Sequence, residues 1–424
     1  MNRRTFLAAG AAMAALVAAH GSAFADPVEI RFFDRLTTGP QTEHSKWLVE
    51  EFTKTHEGKI KVVWEGVQDE VFKTKINSVL RAPNAPDVFF SWEGGRAKYM
   101  IDSGYAAPLD EYYAKYGWDK TIPQAGQNLA TFDGQKYFVP TMMSAAIVWY
   151  RPDVFEKHGI AVPKNWDELM AAAKTLKDAG VAPFMLANQL RWPAQFMWSA
   201  YFVNKNGLQA YNDLIARKIA WTDPRVVEAF AEMKRLMDEG YFEPGANGLD
   251  VTPAVVPFSK GDVAMWYQGS FMISRFTDEK GEPKFPLDYF ALPQIGDVPP
   301  TMSVFAENTL MMNANSEHKD EAAEFLNWVV SKDAMTDQTR RNELYPANVD
   351  VDLSGLPALT AKLGKSISSY DKPTFMHVDH AIADSVADPY LDALQAVLAG
   401  KMTPEDAAKQ VEQAAATEIG PVSP

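Results

Sequence analysis

Apolar residues along the chain fall into short runs that alternate with helical stripes. "VEIRFF" (residues 28–33) and "KIKVVW" (59–64) read as strands, and residues 43–55 between them carry Trp47, Leu48 and Phe52 on one stripe, as a crossover helix does. "DVFFS" (87–91) supplies a third strand after a helix predicted over 71–80. A βαβαβ series of this kind implies a parallel sheet with both faces covered.

The pattern returns beyond the middle. Asn165 stands three residues before Glu168, with Leu169, Ala173 and Leu176 at helical spacing, so "NWDELMAAAKTLKDAG" predicts a capped helix ending at Gly180. Asp223 and Pro224 open another, carrying Val227, Phe230 and Leu236 and stopping at Gly240. A further helix is expected over 317–330, behind the strand "NTLMMN". Two more are expected in the tail, from Asp388-Pro389 to Gly400 and from Thr403-Pro404 onward, the latter with Thr403 and Asp406 at capping-box spacing. A chain of 424 residues exceeds what one core usually holds, and two α/β lobes account for the number of elements. No internal repeat or low-complexity linker interrupts them.

The first 25 residues have a different character. Arg3 and Arg4 precede an Ala/Gly-rich apolar stretch and the small-residue pattern Ala23-Phe24-Ala25, which reads as an export signal cleaved after Ala25. Arg3-Arg4-Thr5-Phe6-Leu7 is similar to a twin-arginine signal, and Gly10, His20 and Gly21 break the stretch too early for a bilayer span. A mature chain free in the periplasm is expected. The absence of cysteine excludes disulfides, thiolate metal ligands, a cysteine nucleophile and a lipidated N-terminal Cys. Without Arg3 and Arg4 the chain keeps 39 basic against 55 acidic residues, a net charge of −16 that repels phosphate backbones, so no nucleic-acid partner is expected.

Catalytic motifs are missing: there is no G-x-S-x-G, G-x-G-x-x-G, Walker sequence or H-E-x-x-H. "HVDH" (377–380) offers two imidazoles and Asp379 on one segment, but a zinc shell needs three or four ligands and nothing adjacent supplies the rest. Neither metal nor cofactor is expected. Glu50-Glu51 and Asp69-Glu70 have the composition of a glycosidase couple, yet they fall on helix faces that read as solvated.

Aromatic residues carry more information. Trp92, Tyr150, Trp192, Trp266 and Phe271 stand at predicted strand ends or loops, beside Ser91 and Glu93, Arg151, Arg191, Gln268 and Ser270. A sugar ring has an apolar C–H face and a rim of hydroxyls, so its site needs flat platforms with carboxylates, amides and Arg forks around them. Trp92 and Trp192 each follow an apolar strand and are the foremost candidates. Trp47, Trp166, Trp198 and Trp328 sit on helical stripes or helix starts and read as core.

Longer stretches resemble a known family. "SAAIVWYRPDVFEKHGIAVPKNWDELMAAAKTLKDAG" is similar to the Tyr-Asn-Lys and Gly-x-x-x-Pro-x-Thr-Trp-x-Glu-Leu signature of extracellular solute-binding proteins of ABC importers, specifically the maltose-binding-like sugar binders of family 1, with Arg151-Pro152 in place of Asn-Lys. "FSKGDVAMWYQGSF" resembles their Gly-x-x-Ala-Met-x-x-x-Gly-x-Trp segment, with Phe271 where Trp is usual. "HKDEAAEFLNWVVSKDAM", "LYPANVDV" and "AVLAGKMTPEDAAKQVEQ" resemble later segments, so the likeness covers nearly all of the mature chain.

The resemblance implies a two-lobed periplasmic-binding-protein fold of type II, each lobe a mostly parallel sheet flanked by helices, with the ligand in the cleft between them. One lobe would comprise 26–142 and 300–336, the other 143–299 and 337–424. It implies a monomer that closes on a sugar and hands it to an inner-membrane permease. Carried over residue by residue, the contact positions are Asp34 and Arg35 after the first strand, Glu43 on the next helix, and Trp92, Glu93 and Arg96 at the third strand's end. Further positions are Ser144 in the crossing strand, Trp192 as a platform, Gly269, Ser270 and Phe271 as a second wall, and Glu307 and Asn308 at the cleft edge. Ser144 stands where maltose binders carry glutamate, and a C-terminal stacking tryptophan has no counterpart, with His377, Asp379 or His380 in its neighbourhood. Both departures argue against maltose itself. Two other readings stay open: a cationic solute such as a polyamine held by Asp34, Glu43, Glu93 and Glu307 around Trp92, and a secreted carbohydrate-active enzyme.

Overall fold

In a computed structural model the chain is described for residues 26–422, apart from 36, 38, 343, 344, 369, 371, 373, 419 and 421. The expected export signal lies outside the described residues. The principal strands are β1 (Val28–Asp34), β2 (Ile60–Gly66), β3 (Val88–Ser91), β4 (Phe138–Tyr150), β5 (Ala182–Met185), β6 (Val263–Gly269), β7 (Asp288–Phe290) and β8 (Val304–Met312). Their order in one sheet is β2-β1-β3-β8-β4-β6-β5, with β7 beside β4. Helices cover the faces, including Pro40–Thr55 and Asp69–Leu80 on the first βαβαβ unit.

The sheet is parallel at its two ends and antiparallel in the middle. β1 pairs in parallel with β2 and β3, and β5 with β6, while β8 runs against β3 and β4. β4 joins the two ends: its residues up to Ala145 pair with β8, and from Ala146 to Tyr150 with β6. All thirteen of its residues are buried, as a central strand covered on both faces requires. Two apolar cores follow. One gathers Phe32, Phe52, Phe89, Phe90, Leu310 and Phe325 and continues along β4 and β6 through Trp149 and Trp266. The other gathers Phe184, Trp198, Tyr211, Phe230, Tyr390 and Val411.

One helix boundary differs from expectation, and the late chain keeps contacts with the first half. Tyr345 and Pro346 pair with Met143 and Met142, and Val349 donates its N–H to the Thr121 carbonyl, so the chain stays beside the first half beyond 336. The reason is packing: Asn348 donates to the Val330 carbonyl, and Ala347 and Val351 enter the first core. The tail helix expected to start at Asp388-Pro389 begins at Asp384 and carries Pro389 inside it. Burial of Val386 and Ala387 holds its first turn in place.

Candidate functional site

β3 ends at Ser91, and Trp92 and Glu93 follow it into the junction between the two halves of the chain. Trp92 is 8% exposed. Phe90 and Phe72 meet its ring edge-on, with centroids 4.7 and 5.8 Å away. Cations lie over it: the Arg96 guanidinium at 4.7 Å from the ring centre, the Lys73 ammonium at 5.5 Å and the Arg35 guanidinium at 5.7 Å. Trp92 is thus a cation–π hub rather than a bare platform. A cavity of about 360 Å³ opens beside it, with Lys73, Asn77, Trp92, Arg96 and Tyr99 on one side and Asp384 and Ser385 on the other.

Glu93 is fully buried. Its Oε1 lies 3.2 Å from Nδ1 of His380, and its Oε2 has no hydrogen-bond partner. Gly94, at φ +73°, and Gly95 open the helix Gly95–Asp102, and a Cβ on either would strike the backbone of 380–382. The glycines therefore permit the close approach of a distant segment, a need glycine alone meets at positive φ. Arg96 completes the contact through its Nε, which donates to Asp384 at 2.7 Å.

Arg35 lies over Phe90 at 4.6 Å and forks between Asp69 at 3.3 Å and Glu307 at 3.4 Å. Glu307 owes its place to an irregularity in β8: Ala306 pairs with Met143 and Asn308 with Met142, so Glu307 is the extra residue of a bulge. Burial lifts the Glu307 carboxyl to about 7, with Glu93 adding to the rise and Arg35 and His380 opposing it. Asn308 shares a face of the sheet with Ser144, because it pairs with Met142, which stands two residues before Ser144 on β4. Both Ser144 Oγ and Asn308 Oδ1 are buried without a partner, as is Nε2 of Gln268.

A second group is aromatic. Trp192 begins the helix Trp192–Asn206 after Arg191, which is held at φ +67°, and it remains half-buried. Its ring meets Phe196 at 5.7 Å and Phe271 at 6.3 Å. Gly269 lets Phe271 fold back on it, since a Cβ there would strike the ring, and Ser270 Oγ accepts the Ala145 N–H at 3.1 Å. Phe196 stacks on His377 at 3.7 Å, and Phe305 touches both His377 and His380. Burial drives the His377 pKa down to about 3, so its ring is neutral, with neither nitrogen partnered.

The structure brings Arg35, Trp92, Glu93, Arg96 and Glu307 into one polar group, places Ser144 and Asn308 on an adjoining face, and sets Trp192 with Phe271 on the aromatic wall. Two expected contacts are engaged elsewhere. Asp34 accepts from Ser45 Oγ, Trp64 Nε1 and the Arg35 N–H, tying β1 to the next helix and strand. Glu43 is exposed and pairs with Lys46 at 3.0 Å. Tyr150 and Trp266 pack into the cores. "HVDH" forms no metal shell: among the described residues no group of three His, Asp or Glu side chains could hold an ion. Asp379 instead receives the Gln195 amide and sends its own N–H to Gln195 Oε1 at 3.1 Å. The pairing of Glu93 with His380, 287 residues apart, has no local signal in the sequence.

Residues 41–336 match a family model described as bacterial extracellular solute-binding protein. An uncharacterized ABC transporter extracellular-binding protein of Pyrococcus horikoshii is 24% identical over 396 residues, covering 92% of this chain and 86% of that one. A solved structure from work on xylan utilization by the thermophilic bacterium Caldanaerobius polysaccharolyticus is 25% identical, covers 91% of this chain and 99% of that chain, and superimposes with a TM-score of 0.81. A chitin oligosaccharide binding protein shares the fold at a TM-score of 0.83 and 22% identity, covering 92% and 98% of the two chains.

Proposed function

The chain belongs to the bacterial extracellular solute-binding proteins, and from that premise we propose that it captures a sugar, mono- or oligosaccharide, for an ABC importer. One observation carries the choice of ligand. Glu93 Oε2, Ser144 Oγ and Asn308 Oδ1 are buried polar atoms without partners, the first just after β3 and the other two on one face of the β4–β8 ladder. Each such atom costs about 1–3 kcal/mol until something pairs with it. Together they offer both donors and acceptors to a ring of hydroxyls, with Trp192 and Phe271 for its apolar face.

A polycation fits less well. Glu307 already faces Arg35, Asp379 and Glu93 already face His380, and Asp384 already holds Arg96. In this reading the mature chain starts near Asp26, works in the periplasm as a monomer, closes by hinge motion on the sugar and passes it unchanged to an inner-membrane permease. A thermal-shift screen of the mature chain against mono- and oligosaccharides and polyamines tests it. At least one sugar should raise the melting temperature, since saturation at a hundred times Kd stabilises by about 2.7 kcal/mol. Silence across all sugars, a rise with polyamines alone, or turnover of a sugar contradicts the reading.

A further inference from the structure

His380 stands where the two halves touch. Its Nδ1 faces Glu93, delivered by β3, and its Nε2 lies 3.8 Å from Oδ1 of Asp379 on its own short helix, Val378–Ala381. The contact is backbone-deep, because Gly94 and Gly95 leave no room for a side chain against 380–382. Arg96 fastens the same edge through Asp384. Of these side chains, His380 has the ordinary pKa nearest neutrality.

We propose that His380 is a positioning residue: it clamps Oε1 of Glu93 across the junction, leaves Oε2 aimed at a sugar hydroxyl, and makes capture depend on pH. The inference rests on the sugar-binding reading above. It gives the "HVDH" segment a role.

The charges around His380 decide the sign. Asp379 and Glu93 attract its imidazolium, Arg96 opposes it, Glu307 approaches from β8 with Arg35 behind it, and His377 is neutral. Burial disfavours the charge on His380, but Asp379 and Glu93 outweigh it and hold the pKa above its ordinary value. Burial of Glu307 lifts that carboxyl to about 7. Solvent readmitted to an open junction returns both groups toward about 6.5 and 4.5, so closure takes up protons. The His380 contribution is complete below about 6.5 and disappears as pH rises through its raised value. The Glu307 contribution falls between about 4.5 and 7. Both weaken closure with rising pH, and each proton taken up changes affinity by at most tenfold per pH unit.

The chain has no cysteine, so cysteines placed at the exposed Lys46 and Lys174 accept a dye pair, one on each half. Energy transfer in the mature chain then reads closure without sugar and with xylotriose, chitotriose or galactose as probes, near pH 6 and near pH 8.5. The probe that binds should bind about threefold to tenfold more tightly at the lower pH. His380→Asn keeps a donor for Glu93 without titrating, so it should retain binding with a shallower pH dependence, the remainder coming from Glu307, whereas Glu307→Gln should keep the His380 part. An equal pH slope in His380→Asn and the parent chain overturns the proposal, as does a parent chain insensitive to pH. Failure of every probe counts against the sugar reading instead. The unliganded distance then decides: a pH-dependent change abolished by His380→Asn supports the clamp, and a constant distance rejects it.

Discussion

The Arg96 guanidinium lies 4.7 Å from the centre of the Trp92 indole, so the tryptophan that follows β3 is covered by a cation. With Phe90 and Phe72 at its edges, Trp92 belongs to the core as much as to the site. Trp92→Ala should therefore cost about 3–5 kcal/mol of folding stability in urea denaturation, the scale of a buried large-to-small change. A stability loss below about 1 kcal/mol would mean that the ring is not packed as described.

Gly94→Ala sets a side chain at φ +73° against the carbonyl oxygen of His380. Strain and collision both act on the closed arrangement, where the two segments meet. Sugar affinity should fall at least tenfold, which is about 1.4 kcal/mol, as read by titration of the probe that binds. Full retention of affinity would show that this contact is not part of the bound state.

Glu43→Gln should leave sugar affinity unchanged within error. The side chain is exposed and its partner Lys46 lies three residues on, in a surface pair worth about 0–1 kcal/mol. A clear loss of binding would return Glu43 to the site.

Glu243 supplies a pH effect on folding, away from the site. It is buried and accepts the N–H groups of Leu186 and Ala187, each at 2.8 Å. Burial lifts its pKa to about 7, above the ordinary carboxylate value. An acid raised in the folded state favours folding in its protonated form. Its contribution is therefore greatest below about pH 4.5 and declines until about pH 7. Denaturation at several pH values should show that decline in the parent chain and a flatter profile in Glu243→Gln.

Local chemistry made most elements legible. Asn165 accepts the Glu168 N–H and Thr403 that of Asp406, as their spacing predicts, and Asp223, expected to open its helix, accepts the Arg225 N–H. β1, β2 and β3 fall within two residues of the apolar runs that announce them. Trp198, read as core from its helical stripe, is fully buried. Relations across the chain were less accessible. Asp34 and Trp92 stand at strand ends, and nothing local in the sequence reveals that Ser45 and Trp64 bond to the first and that three cations cover the second. Gly94 and Gly95 signal a tight backbone, but not that residues 380–382 are what they admit.

The central claim is that a sugar sits between Glu93 and the Trp192–Phe271 wall. Calorimetric titration of the mature chain with the sugar giving the largest thermal shift measures it directly, alongside Glu93→Gln and Trp192→Ala. Trp192 is half-buried at a helix start, so its loss should spare the fold. One sugar per chain should bind, and each substitution should weaken it by about 1–3 kcal/mol, the scale of a lost platform or a lost hydrogen bond to a charged group. Parent-like affinity in both variants, or no binding heat in the parent chain, would contradict the account.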